Sequence, residues 1–248
     1  MPVMIVTGAG RGIGAATARI AAREGWDVCV NYLSDRASAE SVAADVRAAG
    51  RRAVIVQADV ADEDAIVRMF RTVDTELGTL SALVNNAAAT GNGRRRVDQM
   101  KAADVNAILA ANVTGNIVCS REAIRRMSTR QGGAGGAIVN VSSASSRIGA
   151  PNLWMDYAAS KGAVDSLTFG LAAEVAEDGI RVNAVRPGLI DTDIHRKTGI
   201  ADRLERTIKN IPMKRAGTAG EVGEAIVWLA SAAASYVSGS ILDVAGAR

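Results

Sequence analysis

The sequence predicts an α/β protein whose core is a doubly wound, seven-stranded parallel sheet with helices on both faces. Short β-branched runs alternate with longer stretches whose apolar residues recur at helical spacing. Glycine follows several of these longer stretches, as is typical of a helix end. Alternating strands and helices form parallel sheets covered on both faces. Because no Pro/Ser-rich linker interrupts the series, residues 1–248 are expected to form a single domain.

Seven apolar runs are the predicted strands, and helical patterns fill the intervals between them. The strands are Val3–Val6, Asp27–Asn31, Ala53–Gln57, Leu80–Asn85, Ala137–Val141, Arg181–Val185 and Ile241–Val244. Five of the predicted helices are Ile13–Glu24, Asp35–Ala49, Asp62–Leu77, Asn112–Thr129 and Asp156–Asp178. The first three stop directly before a glycine, which marks their ends.

Composition excludes several classes of protein. With 48% hydrophobic and 22% charged residues the chain is typical of a globular protein, and its longest apolar runs are far shorter than the about 18–20 residues that span a bilayer. The first residues lack the pattern of a secretory signal, so a cytoplasmic protein without a membrane partner is expected. Cys29 and Cys119 are interpreted as buried, inert thiols. With His195 as the single histidine, no metal site is expected.

The charge pattern gives no reason to expect a nucleic-acid partner. The 29 basic and 26 acidic residues are mixed along the chain, and the net charge is only +3. Arg94–Arg96 is the densest basic run, but only 3% of residues are aromatic, which leaves little for bases to stack on. The run is therefore interpreted as a solvated loop.

A glycine-rich loop, Thr7–Gly14, joins the first predicted strand to the first predicted helix. Such a loop lets the backbone approach a pyrophosphate, whose charge the helix N-terminus favours. Ile13 stands where the third glycine of a G-x-G-x-x-G pattern would fall, so the pattern alone does not decide the function. Its place in the first βα turn of a doubly wound sheet indicates a dinucleotide site of Rossmann type. The expected contacts are Gly8, Arg11, Gly12, Ile13 and Gly14.

Tyr157 and Lys161 stand four residues apart near the start of a predicted helix, so they share one face. Lowering a tyrosine pKa from about 10 to near neutrality needs roughly 4 kcal/mol of preference for the phenolate. A lysine charge at about 4 Å supplies about that much at an effective dielectric constant near 20. The pair is a candidate acid–base pair, although this spacing also occurs by chance on many helices.

Five motifs stand in order along the chain. They are Thr7-Gly-x-x-x-Gly-x-Gly14, Asn85-Asn86-Ala87-Ala88, Ser142-Ser143, Tyr157-x-x-x-Lys161 and Arg186-Pro187-Gly188. Together they resemble the short-chain dehydrogenase/reductase family over essentially the whole chain, most of all its glucose dehydrogenase-like and 3-oxoacyl-carrier-protein reductase-like members. The resemblance implies an NAD(P)-dependent oxidoreductase that transfers a hydride between nicotinamide and a carbonyl or secondary alcohol substrate.

The resemblance also implies the roles of four catalytic residues. Tyr157 would be the general acid/base, and Lys161 would lower its pKa and hold the nicotinamide ribose. Ser143 would bind the substrate oxygen, and Asn112 would support a water relay behind Lys161. Ser142 is an alternative to Ser143, because the step from Ser143 to Tyr157 is one residue longer than in many relatives.

Further cofactor contacts follow the later strands by the same resemblance. Asp59 and Val60 would face the adenine, and Asn85 with Ala87 would line the adenosine ribose. Ala88 replaces a usual glycine there. The residues expected to bracket the nicotinamide carboxamide are Pro187, Gly188, Ile190 and Thr192. A second departure from the family pattern lies near the C-terminus, where Asp243-Val-Ala-Gly246 replaces a commoner Asp-Gly-Gly ending. This change is expected to affect subunit packing and not chemistry.

NADP(H) is predicted to be preferred, with NAD(H) as the alternative. NAD-specific sites place a carboxylate at the tip of the second strand, where this chain has Asn31. Arg11, and Arg36 as a second candidate, would donate charge-assisted hydrogen bonds to a 2′-phosphate. Asp35 is either the NAD-type carboxylate, if the strand extends further, or the N-cap of the next helix, which is favoured.

The substrate is expected to be set by three loops, at about 89–98, 145–155 and 189–212. Leu153–Met155 either form an apolar wall over the nicotinamide or pack beneath the second of these loops. His195–Lys197, in the third loop, either contact an anionic substrate or are solvated. Glu177 and Asp178 disfavour an acidic acyl carrier, so a sugar, polyol or small ketone is favoured over a 3-oxoacyl carrier-protein substrate.

Two further expectations concern the class of protein and its assembly. A regulator that senses NADP without turnover is the alternative of another class, and the intact set of four catalytic residues argues against it. By the resemblance, subunits would pair through the helices over 112–129 and 156–178, whose apolar faces suit a homotetramer.

Overall fold

A computed structural model describes residues 1–91, 95–192 and 207–248. A parallel sheet of seven strands lies at its centre, with the strand order β3-β2-β1-β4-β5-β6-β7. The strands are β1 (Val3–Val6), β2 (Asp27–Tyr32), β3 (Ala53–Gln57), β4 (Leu80–Asn85), β5 (Gly136–Val141), β6 (Ile180–Pro187) and β7 (Ile241–Val244). The order reverses direction between β1 and β4, so the predicted doubly wound, Rossmann-type fold is confirmed.

Helices cover both faces of this sheet. The helices of the described residues are α1 (Gly12–Arg23), α2 (Arg36–Ala48), α3 (Glu63–Glu76), α4 (Ala102–Leu109), α5 (Gly115–Met127), α6 (Ser145–Ile148), α7 (Met155–Glu174) and α8 (Ala219–Ala230). One apolar cluster joins the sheet to α1, α2 and α8, and another joins it to α3, α5 and α7.

The first strand shows why both faces need helices. Successive side chains of a strand point to opposite faces. Met4 and Val6 lie in the cluster under α1, α2 and α8, whereas Val3 and Ile5 lie in the cluster under α3, α5 and α7. All four side chains are fully buried, which is why the strand is apolar at every position instead of at alternate ones.

A π-helical turn, Ala110–Thr114, joins α4 to α5 without a break. Within the described residues, the resulting helix over Ala102–Met127 is the one that is long and apolar enough to cross a membrane, with a mean hydropathy of 1.2. It packs against α3, α7 and β4 and buries Asn112 and Glu122. Core helices of globular proteins pass the same test, so the finding is weak evidence for a membrane span.

The predicted boundaries differ from the structure by a few residues at element ends. The strand predicted to end at Asn31 continues to Tyr32. The helix predicted over Asp156–Asp178 ends at Glu174 and is followed by a 3₁₀ turn over Ala176–Asp178. Both cysteines are buried as predicted, and burial raises the pKa of each thiol to about 12, so neither is a ready nucleophile.

Candidate active site

A cavity of about 1070 Å³ lies at the carboxyl ends of the strands. It runs from the glycine loop after β1 to Tyr157 and Lys161 on α7. Ligands of doubly wound sheets bind at this edge, beside the point where the strand order reverses. The volume is at the upper end of the range for small-molecule sites, so it suits a ligand of dinucleotide size.

Side chains turned inward fix the shape of the glycine loop. Asn31 Oδ1 accepts a hydrogen bond from Gly8 N at 3.0 Å, and the Asn31 carbonyl accepts one from Ala9 N at 2.8 Å. On the other side, Asn86 Nδ2 donates to Thr7 O at 2.8 Å and to Gly8 O at 3.2 Å. The loop is therefore shaped before any ligand binds.

The N-terminus of α1 opens onto the cavity. Its N-cap residue, Arg11, provides no side-chain acceptor for the first-turn N–H groups, and both Gly12 and Ile13 line the cavity. Gly12 has a φ of 55°, which side chains rarely adopt. Unpaired N–H groups and the helix dipole favour an anion here, so the loop fits a pyrophosphate.

Gly14 was predicted to contact the cofactor, but it does not line the cavity. A Cβ atom at this position would lie 2.5 Å from Asn86 Nδ2 and 2.6 Å from Gly8 O. Glycine is required there for the close packing of α1 on the loop. Gly10, which was not predicted as a contact, does line the cavity and leaves its backbone open to a ligand.

Asn31, a predicted cofactor contact, lines the cavity, whereas the prediction for Asn85 is corrected. Asn31 Nδ2 donates to two backbone carbonyls at the end of β3, at 3.2 and 3.0 Å, so its amide group is also held by the fold. Asn85 does not line the cavity. Its Nδ2 donates to Ser120 Oγ at 3.1 Å and to Asn140 Oδ1 at 3.0 Å inside the fold. Buried amides are satisfied in this way because an unpaired one is costly.

The other predicted cofactor residues line the cavity. Besides Tyr157 and Lys161 they are Gly8, Arg11, Gly12, Ile13, Asp59, Val60, Ala87, Pro187, Gly188, Ile190 and Thr192. Asp35 also lines it and is the N-cap of α2, where its carboxylate accepts hydrogen bonds from Ser38 N at 3.0 Å and Ser38 Oγ at 2.7 Å. Arg36 follows in α2 and does not line the cavity.

Tyr157 and Lys161 lie together on α7 at the inner end of the cavity. Lys161 Nζ lies 5.6 Å from the centroid of the Tyr157 ring and donates to Val141 O at 2.6 Å. Burial lowers the pKa of Lys161 to about 8, although Asp165 acts in the opposite direction. Burial raises the pKa of Tyr157, and a hydrogen bond with Ser143 partly offsets that effect.

The two serines after β5 are in different environments. Ser142 is 2% exposed, and its Oγ donates to the Lys161 carbonyl at 3.2 Å. Ser143 is half-buried at the cavity, where it hydrogen-bonds with Tyr157 and accepts from Ser145 N at 3.1 Å. Of the two alternatives, the geometry therefore favours Ser143 as the partner of the phenol.

Asn112 lies in the π-helical turn and does not line the cavity. Its Nδ2 donates to Ala89 O and to Ser160 Oγ, each at 2.9 Å, and its Oδ1 accepts from Ala89 N at 2.7 Å. The amide thus ties the loop after β4 to α7 at the residue before Lys161. Among the described residues no hydrogen bond joins Asn112 to Lys161 itself, so the relay role stays a prediction.

Known proteins are similar to this one along nearly its whole length. A family model described as enoyl-(acyl carrier protein) reductase matches residues 8–246. The chain is 50% identical over 248 residues to an uncharacterized oxidoreductase of Escherichia coli, YgfF, with all of both chains covered. The chain belongs to the short-chain dehydrogenase/reductase family. It is an oxidoreductase of that family.

Other members of the family have named activities. Glucose 1-dehydrogenase 2 of Bacillus subtilis is 36% identical, covering 98% of this chain and 92% of its own. The 3-oxoacyl-[acyl-carrier-protein] reductase FabG of Staphylococcus aureus is 35% identical, covering 98% and 96%. A short chain dehydrogenase from Burkholderia cenocepacia, solved in complex with NADP, superposes with a TM-score of 0.90 at 32% identity, covering 99% and 96%.

In this short-chain dehydrogenase/reductase, the end of the cavity beside Tyr157 has one apolar wall. Leu153 and Trp154 line the cavity, and the Trp154 ring lies edge-on to Tyr157 with 6.2 Å between centroids. Met155 is 38% exposed and does not line the cavity, so only two of the three predicted wall residues contribute. The predicted segment His195–Lys197 lies outside the described residues.

Arg95 corrects the interpretation of the arginine run as a solvated loop. Its side chain is only 14% exposed, with Nη2 2.8 Å from Asp156 Oδ2 in the first turn of α7 and Nη1 3.0 Å from Asp104 Oδ2 on α4. In this short-chain dehydrogenase/reductase, Arg95 thus connects the loop after β4 to α7, the helix that carries Tyr157 and Lys161. Arg96 is 67% exposed, as predicted, and Arg94 lies outside the described residues.

The C-terminal segment of this short-chain dehydrogenase/reductase also reaches the cavity. Gly188 N donates to Val244 O at 3.0 Å, and a Cβ on Gly188 would lie 2.8 Å from Ala245 Cα. Arg248 itself lines the cavity. The altered C-terminal ending therefore packs against Gly188, which lines the cavity, and its effect on subunit packing stays a prediction. Within residues 1–91, 95–192 and 207–248, no group of three or more His, Cys, Asp and Glu side chains could hold a metal ion.

Proposed function

We propose that the protein is an NADP(H)-dependent oxidoreductase that interconverts a carbonyl and a secondary alcohol in a sugar, polyol or small ketone. The observation that carries the proposal is the meeting of Ser143, Tyr157 and Lys161 at the inner end of the cavity. When bound, the nicotinamide supplies or accepts the hydride at the substrate carbon.

The cofactor would be held mainly by backbone at one end and by side chains at the other. The pyrophosphate would lie on the N–H groups at the start of α1, next to Gly12 and Ile13. Lys161 would hold the nicotinamide ribose, and Pro187 with Gly188 would border the carboxamide. These residues line the same cavity, which supports one continuous binding site.

Tyr157 would donate the proton to the carbonyl oxygen during reduction and accept it during oxidation. Its pKa is raised in the free protein, so the phenol is protonated near neutral pH and is ready to donate. The ammonium form of Lys161 would favour the phenolate that remains after the transfer. Ser143 would donate a hydrogen bond to the oxygen as negative charge develops on it.

The NADP(H) preference is supported by the adenosine end of the cavity. Arg11 lines it, and among the described residues Arg11 has no carboxylate partner, so its guanidinium is available for a 2′-phosphate. Asp35 lies at the same end but is the N-cap of α2 and accepts hydrogen bonds from Ser38. The complex of the Burkholderia relative with NADP also supports this choice.

A small polar substrate is supported by the cavity lining. Asn152, Thr207 and Asn210 line it together with the apolar Leu153 and Trp154, which suits a molecule with several hydroxyl groups. The similarity to a glucose 1-dehydrogenase supports the same class. The similarity to FabG supports the alternative substrate, a 3-oxoacyl carrier protein. The argument from Glu177 and Asp178 against that alternative weakens, because both pair with Arg130.

The proposed assembly is a cytoplasmic homotetramer. Exposed apolar side chains on the two helices expected to form the interfaces support it. Ile117 on α5 is 47% exposed and Phe169 on α7 is 53% exposed. Light scattering at micromolar concentration tests this proposal, and a monomer would contradict it.

The experiment that tests the function is a screen with NADPH and NADP⁺ against ketones, sugars, polyols and 3-oxoacyl thioesters. Turnover of a sugar, polyol or ketone with NADP(H) is the expected result. Turnover of acyl thioesters alone would favour the carrier-protein reductase. Cofactor binding without turnover of any substrate would favour the sensing regulator.

A further inference from the structure

A row of acidic and basic side chains lies near Lys161, and none of them lines the cavity. Asp165 is one turn further along α7, and its Oδ2 accepts from Arg186 Nε at 3.1 Å and Nη2 at 2.9 Å. Arg186 Nη1 lies 3.8 Å from Asp243 Oδ1 of β7, and Asp243 also binds Arg147 of α6. Four charges thus connect α7, β6, β7 and α6.

Asp165 is only partly satisfied by these contacts. Its side chain is 11% exposed, and its Oδ1 is buried without a hydrogen-bond partner among the described residues. A buried carboxylate oxygen normally has a partner, so an unpaired one keeps a strong local field. Residues four apart on a helix are neighbours, so Asp165 and Lys161 lie on the same face of α7. The negative charge of Asp165 raises the pKa of Lys161 against the effect of burial.

Most other charges on the elements packed against α7 are engaged elsewhere. Asp104 of α4 and Asp156 of α7 bind Arg95. Arg181 of β6 donates to backbone carbonyls at the end of α8. The strand β5, which supplies the carbonyl bound by Lys161 Nζ, contains no charged residue. Among the described residues, Asp165 is therefore the charge that acts on Lys161 from within the fold, and Arg186 binds the Asp165 carboxylate.

We propose that Asp165 is a positioning residue that keeps Lys161 in its ammonium form, and that Arg186 limits the strength of this effect. The inference rests on the proposed function of Lys161 as the cation beside Tyr157. Burial alone would leave Lys161 largely neutral in mildly alkaline solution, and a neutral lysine cannot favour the phenolate. The pair on α7 and β6 would thus set the pH range in which Tyr157 works.

The protonation of Lys161 can be measured without any enzyme assay. The chain has five lysines, so ¹³C-lysine labelling gives few NMR signals, and the signal lost in Lys161→Arg identifies Lys161. Its chemical shift is followed between pH 6 and 11 in the full-length protein. The variants are Asp165→Asn, Arg186→Gln and the double variant with both changes.

The three variants have different expected results. Asp165→Asn removes the negative charge and leaves Arg186, so the pKa of Lys161 is expected to fall by about one pH unit. Arg186→Gln frees the carboxylate and is expected to raise that pKa. The double variant should lie between the two single variants, because the carboxylate that raises the pKa and the guanidinium that limits its effect are both gone. Glu174→Gln is the control, since it changes an acidic residue of the same helix about 20 Å from Lys161.

A purely structural role of the pair would not produce opposite shifts. The proposal is overturned if both single variants move the pKa of Lys161 in the same direction, or if neither moves it. The pH profile of alcohol oxidation is the second measurement, and its acid limb should move to higher pH in Asp165→Asn. If the NMR shifts are found but the profile does not move, the charge coupling stands and the proposed role of Lys161 in turnover fails.

Discussion

The two ends of the cavity recognise a ligand in different ways. At the glycine loop the start of α1 offers backbone N–H groups to a ligand, while the side chains of Asn31 and Asn86 turn inward to hold the loop. At α7 the side chains of Ser143 and Tyr157 face the cavity, and Lys161 is held by the backbone of β5. Substitutions at the glycine loop should therefore change cofactor binding and stability, whereas those at the other end should change turnover.

The largest effect is expected for Tyr157→Phe at the catalytic end. Losing the general acid/base should lower kcat by about 10²–10⁴-fold, with the affinity for NADPH nearly unchanged. Steady-state kinetics and NADPH fluorescence titration measure the two quantities. Tyr236→Phe is the matched control, because Tyr236 is fully exposed. More than a tenth of the original rate in Tyr157→Phe would contradict the assignment.

The two serines after β5 allow a comparison within the catalytic end. Ser143→Ala should lower kcat by about 10²–10³-fold, as expected for one hydrogen-bond donor to developing negative charge. Ser142→Ala should instead lower the free energy of unfolding by about 1 kcal/mol, because its hydroxyl bonds the Lys161 carbonyl. Kinetics and urea unfolding on both variants test this. A larger loss of kcat in Ser142→Ala would reverse the assignment.

Two glycines make the corresponding comparison at the loop. Gly14→Ala places a methyl group against Gly8 O and should lower the free energy of unfolding by about 1–3 kcal/mol. At Gly10 a methyl group would be 3.6 Å from Ala39 N, an ordinary contact, so Gly10→Ala should fold normally and weaken only cofactor binding. Urea unfolding and NADPH titration separate the effects. Equal loss of stability in both variants would contradict the prediction that only Gly14 is closely packed.

The smallest effect is expected for Arg11→Ala. A charge-assisted hydrogen bond to a phosphate is worth about 1.5–3 kcal/mol, so the ratio of kcat/KM for NADPH over NADH should fall roughly tenfold or more. The NADH reaction should change little. Arg36→Ala is the control, since Arg36 does not line the cavity. An NADH reaction in the unchanged protein that equals or exceeds the NADPH reaction would refute the preference itself.

The sequence predicts the fold well because its strands are buried on both faces. Runs such as Val3–Val6 are apolar throughout, and glycines mark the helix ends, so each strand was predicted to within a few residues. Tyr157 and Lys161 could be paired from their spacing on a helix. Such patterns depend only on residues close in the sequence, so they can be recognised without knowing which elements are neighbours in the sheet.

The errors concern residues whose environment comes from distant parts of the chain. Asn85 donates a hydrogen bond to Asn140, which is 55 residues away, and no local sequence pattern indicates this partner. Gly14 looks like a ligand contact in the sequence, but its close neighbour belongs to the loop after β4. Arg95 is held by Asp156, 61 residues away, and the run of three arginines suggested solvent instead. A motif identifies the residue types but not which of them the fold itself uses.

The π-helical turn over Ala110–Thr114 has a consequence for how this chain can change length. The turn holds one more residue than an α-helical turn, and α-helical residues are about 100° apart around the axis. Deleting a single residue there would let the turn close as an ordinary α-helical turn, so α4 and α5 would keep nearly the same faces towards the core. Ile108, now 3% exposed, would stay buried. The long helix should therefore tolerate loss of one residue in this turn other than Asn112, whereas the same deletion inside α4 would rotate the residues before it away from the core.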